Sequence, residues 1–337
     1  MTTMSLLEVA SYVPPRQLDT AHFLRAQQPE EEARDHRMFR PPRYRRHVAR
    51  EESAADMAER ASHALAERIG WDQLRSVDAV LTNVHLPDLP FTGCGAELAH
   101  RLGARPDWVL DSHNGGCASL VHLLGLAQAL IDSGQIRDAL LCNVQNTAGT
   151  VMGQPEVMKL PEAAIPGDGV GVSYVAASGA SPVLGVETRY HGEFAADAGL
   201  RLDDGRKYWE PGTSQMHLDF SPDKVTEIIR RGSRLVPEAV QALVDRLGLK
   251  LSEVDLLITN QPNRFFLQHW SRQLELGPDR HLETFDLYGN LMGAAMTINL
   301  EHGLEQGRVS DGDLLMFGGF AHAGDFSGAA AVRWRAG

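Results

Sequence analysis

Apolar positions along the chain switch between helical spacing and short unbroken runs. Residues 61–83 (ASHALAERIGWDQLRSVDAVLTN) predict a helix, a glycine stop and then a strand-length apolar run. Residues 239–260 (AVQALVDRLGLKLSEVDLLITN) predict the same succession. With one gap the two segments pair Ala64 with Ala242, Leu65 with Leu243, Arg68 with Arg246, Gly70 with Gly248 and Asn83 with Asn260. A second pair follows. Cys117 opens CASLVHLLGLAQALIDSGQI, and Asn290 opens NLMGAAMTINLEHGLEQGRV. The helix-ending glycine comes 17 residues later in both, at Gly134 and Gly307. Strand-like runs come next, at 139–144 and 313–317.

Helices alternating with short buried strands indicate an α/β protein. The doubled order indicates two similar halves, residues 1–180 and 181–337, with the boundary near 178–185. Residues 191–222 are polar, glycine-rich and aperiodic, and read as a surface excursion of the kind that shapes sites.

Composition narrows the function. The 337 residues are 43% hydrophobic and 23% charged, as expected for a globular chain with a sizeable core. No apolar run is long enough for a membrane helix. The N-terminus lacks the basic flank of a secretory signal, and three cysteines form no disulfide framework, so a cytoplasmic location is expected. A net charge of −12 disfavours nucleic acid as a partner. The 14 histidines show no metal-binding spacing, so no metal is expected.

Cys117 follows HNGG and precedes a strongly apolar helix. Free N–H groups and the helix dipole at such a position stabilise a thiolate, and the same N–H groups can hold an oxyanion. The alternative is a small buried hydrophobe. Cys94, placed within the FTGCGAELAHRLG helix, and Cys142, within a strand, lack this setting and read as structural.

Eight segments in order now identify a resemblance. SYVPPRQLDT, RRHVA, FTGCGAELAHRLG, NGGCAS, GDGVGVSYV, TNQPN, YGNLMGAA and GGFAHAGDFSGAAAVRW span nearly the whole chain. They make it similar to the β-ketoacyl-acyl-carrier-protein synthase III group of the thiolase-like superfamily. The resemblance implies a five-layered αβαβα sandwich of two duplicated halves, a homodimer, and an acyl-cysteine intermediate loaded from coenzyme A or an acyl carrier protein. Carried over by motif, the nucleophile is Cys117 and a carbonyl-polarising asparagine is Asn290. The family's histidine, which opens an HQAN-like motif, is replaced here by Asn260.

An asparagine can hold an oxygen but takes up no proton near neutral pH. Acyl loading on Cys117 is expected to survive, because the helix start can supply the thiolate, and decarboxylative condensation to survive at reduced rate, because it needs oxygen stabilisation more than proton removal. Transfer to an alcohol or amine needs a base from elsewhere. His322, in the family's glycine-rich loop, is one candidate, with Asp325 available to orient it; His113 is another. His269 reads as a helix-face residue. Alignment places the second oxyanion-hole N–H at Ala323. The family's coenzyme-stacking tryptophan and following arginine fall at His36 and Arg40, so loss of the stacking ring favours a carrier-protein donor. The arginines at 34, 37, 40, 43, 45, 46 and 50, and Arg264, are candidates to dock an acidic carrier or a phosphopantetheine phosphate, or else a solvated face. Phe91 matches the residue that reaches the partner's acyl tunnel; otherwise it is a core aromatic. GDGVG lacks the context of a nucleotide loop and is structural in the family.

The resulting expectation is an acyltransferase of a biosynthetic, secondary-metabolite pathway. It has no bound cofactor, takes a phosphopantetheine thioester as substrate, and passes the acyl group to a carbon, hydroxyl or amine of a small-molecule acceptor. Thioester hydrolysis is a second possibility. The non-enzyme alternative is a subunit that pairs with an active paralogue.

Overall fold

The computed structural model describes residues 3–26, 37–89, 92–202, 204–207, 209–218 and 222–335. Two five-stranded sheets organise it. The first is built from β1 (Met4–Tyr12), β4 (Ala79–Val84), β5 (Trp108–Ser112), β6 (Asp138–Gln145) and β7 (Gly169–Ala177) in the order β1-β7-β6-β4-β5. Between β1 and β4 lies a small ribbon of β2 (Gln17–Asp19) and β3 (Tyr44–Arg46). The second sheet uses β8 (Val183–Tyr190), β11 (Leu256–Thr259), β12 (His281–Leu282), β13 (Leu314–Ala321) and β14 (Phe326–Arg333) in the order β8-β14-β13-β11-β12. Strand directions match position by position. The first two pairings of each sheet are antiparallel and the last two parallel. The fold is therefore two copies of one design.

The repeat extends to side chains. Helices α1 (Thr20–Ala26), α2 (Ala54–Ile69) and α3 (Trp71–Arg75) precede β4, and α4 (Gly95–Leu102) and α5 (Ser119–Asp132) flank β5. In the second half, α6 (Pro222–Leu247), α7 (Arg264–Gln273), α8 (Phe285–Tyr288) and α9 (Ala295–Glu305) follow β8. Arg68 of α2 donates to the Val9 carbonyl of β1 and lies 3.6 Å from Glu8. Its counterpart Arg246 of α6 donates to the Val186 carbonyl of β8 at 2.7 Å and pairs with Glu187 at 3.3 Å. Gly134 and Gly307, the paired helix stops, share a left-handed backbone with φ of 71° and 65°.

Five layers follow from which faces are apolar. Strand β6 sends Ala139 and Leu141 to the central core and Leu140, Cys142 and Val144 to the outer one, as strand alternation requires. The central core joins both sheets through α5 and α9 (Leu120, Leu124, Met296, Leu300). On the outer face of the first sheet, α2 and α4 pack through Ala58, Leu65 and Leu98. On the second, α6 and α7 pack through Val240, Leu243 and Trp270. No helix among the described residues is long and apolar enough to cross a membrane.

Two local expectations change. Cys94 stands just before α4 rather than inside it. Asp111 of neighbouring β5 accepts the Cys94 and Gly95 N–H groups at 3.0 and 2.9 Å, so the helix start is capped from another strand. The 191–222 segment contains a two-stranded ribbon, β9 (Leu200–Leu202) with β10 (Met216–Leu218), rather than aperiodic chain throughout.

Candidate active site

Cys117 lies in a single tight turn, Gly116–Ala118, that precedes α5. Gly116 has a φ of 47°, and a Cβ there would stand 2.8 Å from His322 Nε2 and 2.9 Å from Ala321 Cβ. Glycine is required twice over, by backbone conformation and by close approach. Cys117 as a residue is half-buried, with its thiol on the buried side. Burial pushes its thiol up to about 12, against the backbone N–H groups of His322 and of Cys117 itself, which pull it down. Burial therefore opposes the thiolate that the two N–H groups favour. Cys94 and Cys142 are buried in the outer core with raised thiols, as a structural role demands.

His322 sits at the tip of the β13–β14 hairpin, between the last paired residues Ala321 and Phe326. Its φ is 49°, a conformation few non-glycine residues adopt. The tip is fixed from several sides. Gly324 N–H donates to the Ala321 carbonyl at 2.8 Å, and Arg231 donates to the Ala323 carbonyl at 3.3 Å. His191 N–H donates to the Asp325 carbonyl at 2.7 Å. His322 Nδ1 lies 2.9 Å from Asp325 Oδ1. The carboxylate can only accept, so it holds the proton on Nδ1 and leaves Nε2 as an acceptor, turned toward the Gly116 turn. The N–H that reaches the sulfur is that of His322. Ala323, one residue on, is fully buried, and its carbonyl is engaged by Arg231.

Asn290 is placed by both halves. Its N–H donates to the Ile165 carbonyl at 2.9 Å, and its own carbonyl accepts the Gly167 N–H at 3.1 Å. Oδ1 accepts the Met292 N–H at 2.9 Å, so among the described residues Nδ2 stays without a protein partner. The turn that follows packs directly on the Cys117 turn: a Cβ on Gly293 would stand 2.7 Å from the Gly116 carbonyl oxygen. Gln261 clamps this region by donating to the Gly289 carbonyl at 2.6 Å and accepting the Thr284 N–H at 3.1 Å. The NQPN motif is therefore scaffolding at Gln261 and at Asn263, which caps α7 by accepting from Phe266 N–H at 3.0 Å.

Asn260 has no exposed surface. Its Nδ2 donates to the Phe320 carbonyl at 3.2 Å, and its Oδ1 is buried without a partner. In contrast with the expectation that it helps to hold a substrate oxygen, one of its Nδ2 hydrogens is engaged by the backbone of β13 and the other is buried with the rest of the residue.

The other candidates separate. His113 is exposed and 3.2 Å from the Val84 carbonyl. His269 stacks on Phe265 along α7. Sequence reasoning missed His85, which no motif marks. Burial pushes it down to about 4, with His322 and His113 adding to the shift, so it is neutral near pH 7. Arg264 is held by Glu283 and Asp286, which compete with any docking role. Arg37 stacks on Phe265, Arg43 on Tyr44 and buried Arg45 on Phe23, while Arg46 donates to the Pro15 carbonyl. Arg40 is exposed. His36, Arg34 and Phe91 lie outside the described residues.

A cavity of about 330 Å³ is walled by Leu86, Val151, Leu202 and Met216, with Arg206 and Glu210 on its polar side. Its outer wall is the β9–β10 ribbon.

Comparison with known proteins agrees with this architecture. Residues 244–334 match the family model of the 3-oxoacyl-[acyl-carrier-protein (ACP)] synthase III C-terminal region. The β-ketoacyl-[acyl-carrier-protein] synthase III of Symbiobacterium thermophilum is 28% identical over 298 residues, covering 87% of each chain. That of Alkalilimnicola ehrlichii is 26% identical over 292 residues, covering 86% of this chain and 87% of its own. The 3-oxoacyl-(acyl-carrier protein) synthase of Burkholderia xenovorans superposes with a TM-score of 0.83 at 21% identity, covering 99% and 94%. Cerulenin-bound OleA of Xanthomonas campestris superposes with a TM-score of 0.82 at 19% identity, covering 98% and 97%.

Proposed function

From a chain that is β-ketoacyl-acyl-carrier-protein synthase III-like and thiolase-like in fold, we propose an acyl-transferring condensing-type enzyme that carries its acyl group on Cys117. The observation that carries this reading is the Cys117 turn at the start of α5, packed against the His322 hairpin tip so that the N–H groups of Cys117 and His322 lie near the sulfur. When the thiolate attacks a thioester carbonyl, the carbonyl oxygen becomes an oxyanion, and two such donors stabilise it. Residues 1–180 supply the nucleophile; residues 181–337 supply Asn290 and the hairpin tip.

The donor is an acyl thioester of phosphopantetheine, on a carrier protein or coenzyme A, and the acceptor is a small molecule of a specialised biosynthetic pathway. A second copy of the chain fits the outer edge of β5, where Trp108 and Val109 are exposed on the last strand of the first sheet.

The test is intact-protein mass spectrometry after incubation with acyl thioesters on coenzyme A and on carrier protein. A mass gain equal to the acyl group, absent in Cys117→Ala, is the expected result. A folded protein that gains no mass from any donor would refute the proposal.

A further inference from the structure

Two features of the site point in one direction. The first is a missing donor. Joining a malonyl unit to an acyl-cysteine passes through an enolate, whose oxygen must be held by donors as charge grows on it. Asn260, beside the Cys117 turn, is closed off: one Nδ2 hydrogen is bound to the Phe320 carbonyl, and with no exposed surface the other is out of a substrate's reach. Turning the amide over would set Oδ1 against that carbonyl oxygen, acceptor against acceptor, so the Phe320 carbonyl fixes the orientation. A Cβ on Gly319 would lie 3.1 Å from Ala118 Cβ and 3.2 Å from Asn260 Oδ1, which locates this blocked amide next to the nucleophile's turn. Asn290 Nδ2 remains, a single side-chain amide to meet that charge.

The second is a base that carbon–carbon condensation does not need. Decarboxylation leaves the carbanion without removal of a proton. An alcohol, an amine or water must lose one in order to attack. His322 offers Nε2 beside the Cys117 turn, and Asp325 holds Nδ1 at 2.9 Å. The strained backbone at His322 is maintained by Arg231, His191 and the turn bond of Gly324. With 32% of its side chain exposed, His322 can be reached by an incoming molecule.

We infer that the Asp325–His322 dyad is the base of this site and that the acyl acceptor is a protic nucleophile, a hydroxyl or amine, rather than a malonyl carbon. The inference rests on the acyl-Cys117 reading. In the first step His322 Nε2 takes the Cys117 proton, the sulfur bonds to the thioester carbonyl carbon, and the bond from that carbon to the phosphopantetheine sulfur breaks. His322 returns the proton to the departing thiol. In the second step Nε2 takes the acceptor's proton, the acceptor oxygen or nitrogen bonds to the acyl carbon, and the bond to Cys117 breaks. The proton then goes back to the Cys117 sulfur. The N–H groups of Cys117 and His322 hold the carbonyl oxygen in both.

The test starts from acyl-Cys117 protein made with an acyl thioester and freed of excess donor. Its decay is followed by intact mass in buffer, with benzyl alcohol, with benzylamine and with malonyl-coenzyme A. The expected result is discharge into water or the protic probes, slowed about a hundredfold in both His322→Gln and Asp325→Asn, with no CO2 released from malonyl-coenzyme A. Asp325→Asn keeps the shape of the tip and so guards against a folding defect in His322→Gln. Discharge by malonyl-coenzyme A with release of CO2 and a ketoacyl product would overturn the acceptor assignment alone. Discharge unchanged in both variants would overturn the base. Failure to form acyl-Cys117 at all would sink the underlying reading, and is seen before any acceptor is added.

Discussion

Gly116→Ala separates the chemistry of the site from its stability. Gly116 has a φ of 47°, which for a residue with a Cβ costs roughly 1–2 kcal/mol. The new Cβ would also stand 2.8 Å from His322 Nε2 and 2.9 Å from Ala321 Cβ. Ordinary carbon contacts lie at about 3.5–4.0 Å, so a neighbour must retreat by roughly 0.7 Å or more. Ala321 is paired within the β13–β14 ladder and cannot retreat easily. The His322 ring can, and in doing so it leaves Asp325. A misplacement of about 1 Å is expected to slow the reaction on the order of a hundredfold. Gly134→Ala is the control. It meets the same backbone penalty at a φ of 71°, with nothing within 4 Å of the new Cβ. Urea denaturation should show similar losses of stability in the two variants, while only Gly116→Ala loses acyl transfer measured on thioester substrate. If Gly116→Ala keeps its rate within about twofold of Gly134→Ala, the crowding argument and the placement of His322 over the Cys117 turn are wrong.

Three further outcomes follow from geometry. Because burial raises the Cys117 thiol to about 12, alkylation by iodoacetamide in the unloaded protein should rise about tenfold per pH unit from pH 7 to 9 without levelling; a plateau near neutral pH would instead reveal a thiolate paired with a protonated histidine. Asp111→Ala removes the acceptor of two N–H groups at the start of α4 and should cost about 1–2 kcal/mol by urea denaturation; no loss would mean that the helix start is satisfied elsewhere. Val109→Lys places a charge on the exposed β5 edge and should shift the protein toward monomer in sedimentation, whereas an unchanged mass would remove β5 from the interface.

The doubled architecture was legible because it is carried by local pattern. Apolar spacing, paired glycine stops and the Arg68–Arg246 match repeat at equivalent places, and each reports on its own neighbourhood. The setting of Cys117, in a turn between two glycines and an apolar helix, was legible for the same reason. Its protonation was not, since burial is a property of the assembled halves and outweighs the local N–H groups. Asn260 showed the same limit. Its side chain can donate, yet the Phe320 carbonyl, 60 residues away in sequence, takes one hydrogen and the folded core buries the other. Cys94 was misplaced by one residue because its cap comes from β5. His85 carried no signal, being defined only by what surrounds it in space.

Cys117 belongs to the turn before α5, whereas His322 and Asp325 belong to the β13–β14 hairpin of the other copy of the design. Neither copy contains a working set of groups, so the seam between them is itself what the chemistry measures. Turnover therefore serves as a gauge of registry between the two copies. A displacement at the seam too small to alter circular dichroism, or to move a melting temperature, would still separate nucleophile from base. Variants away from the Cys117 turn that loosen the central layer, at Leu124 or Leu300 for example, are the place to look for proteins that are folded and silent.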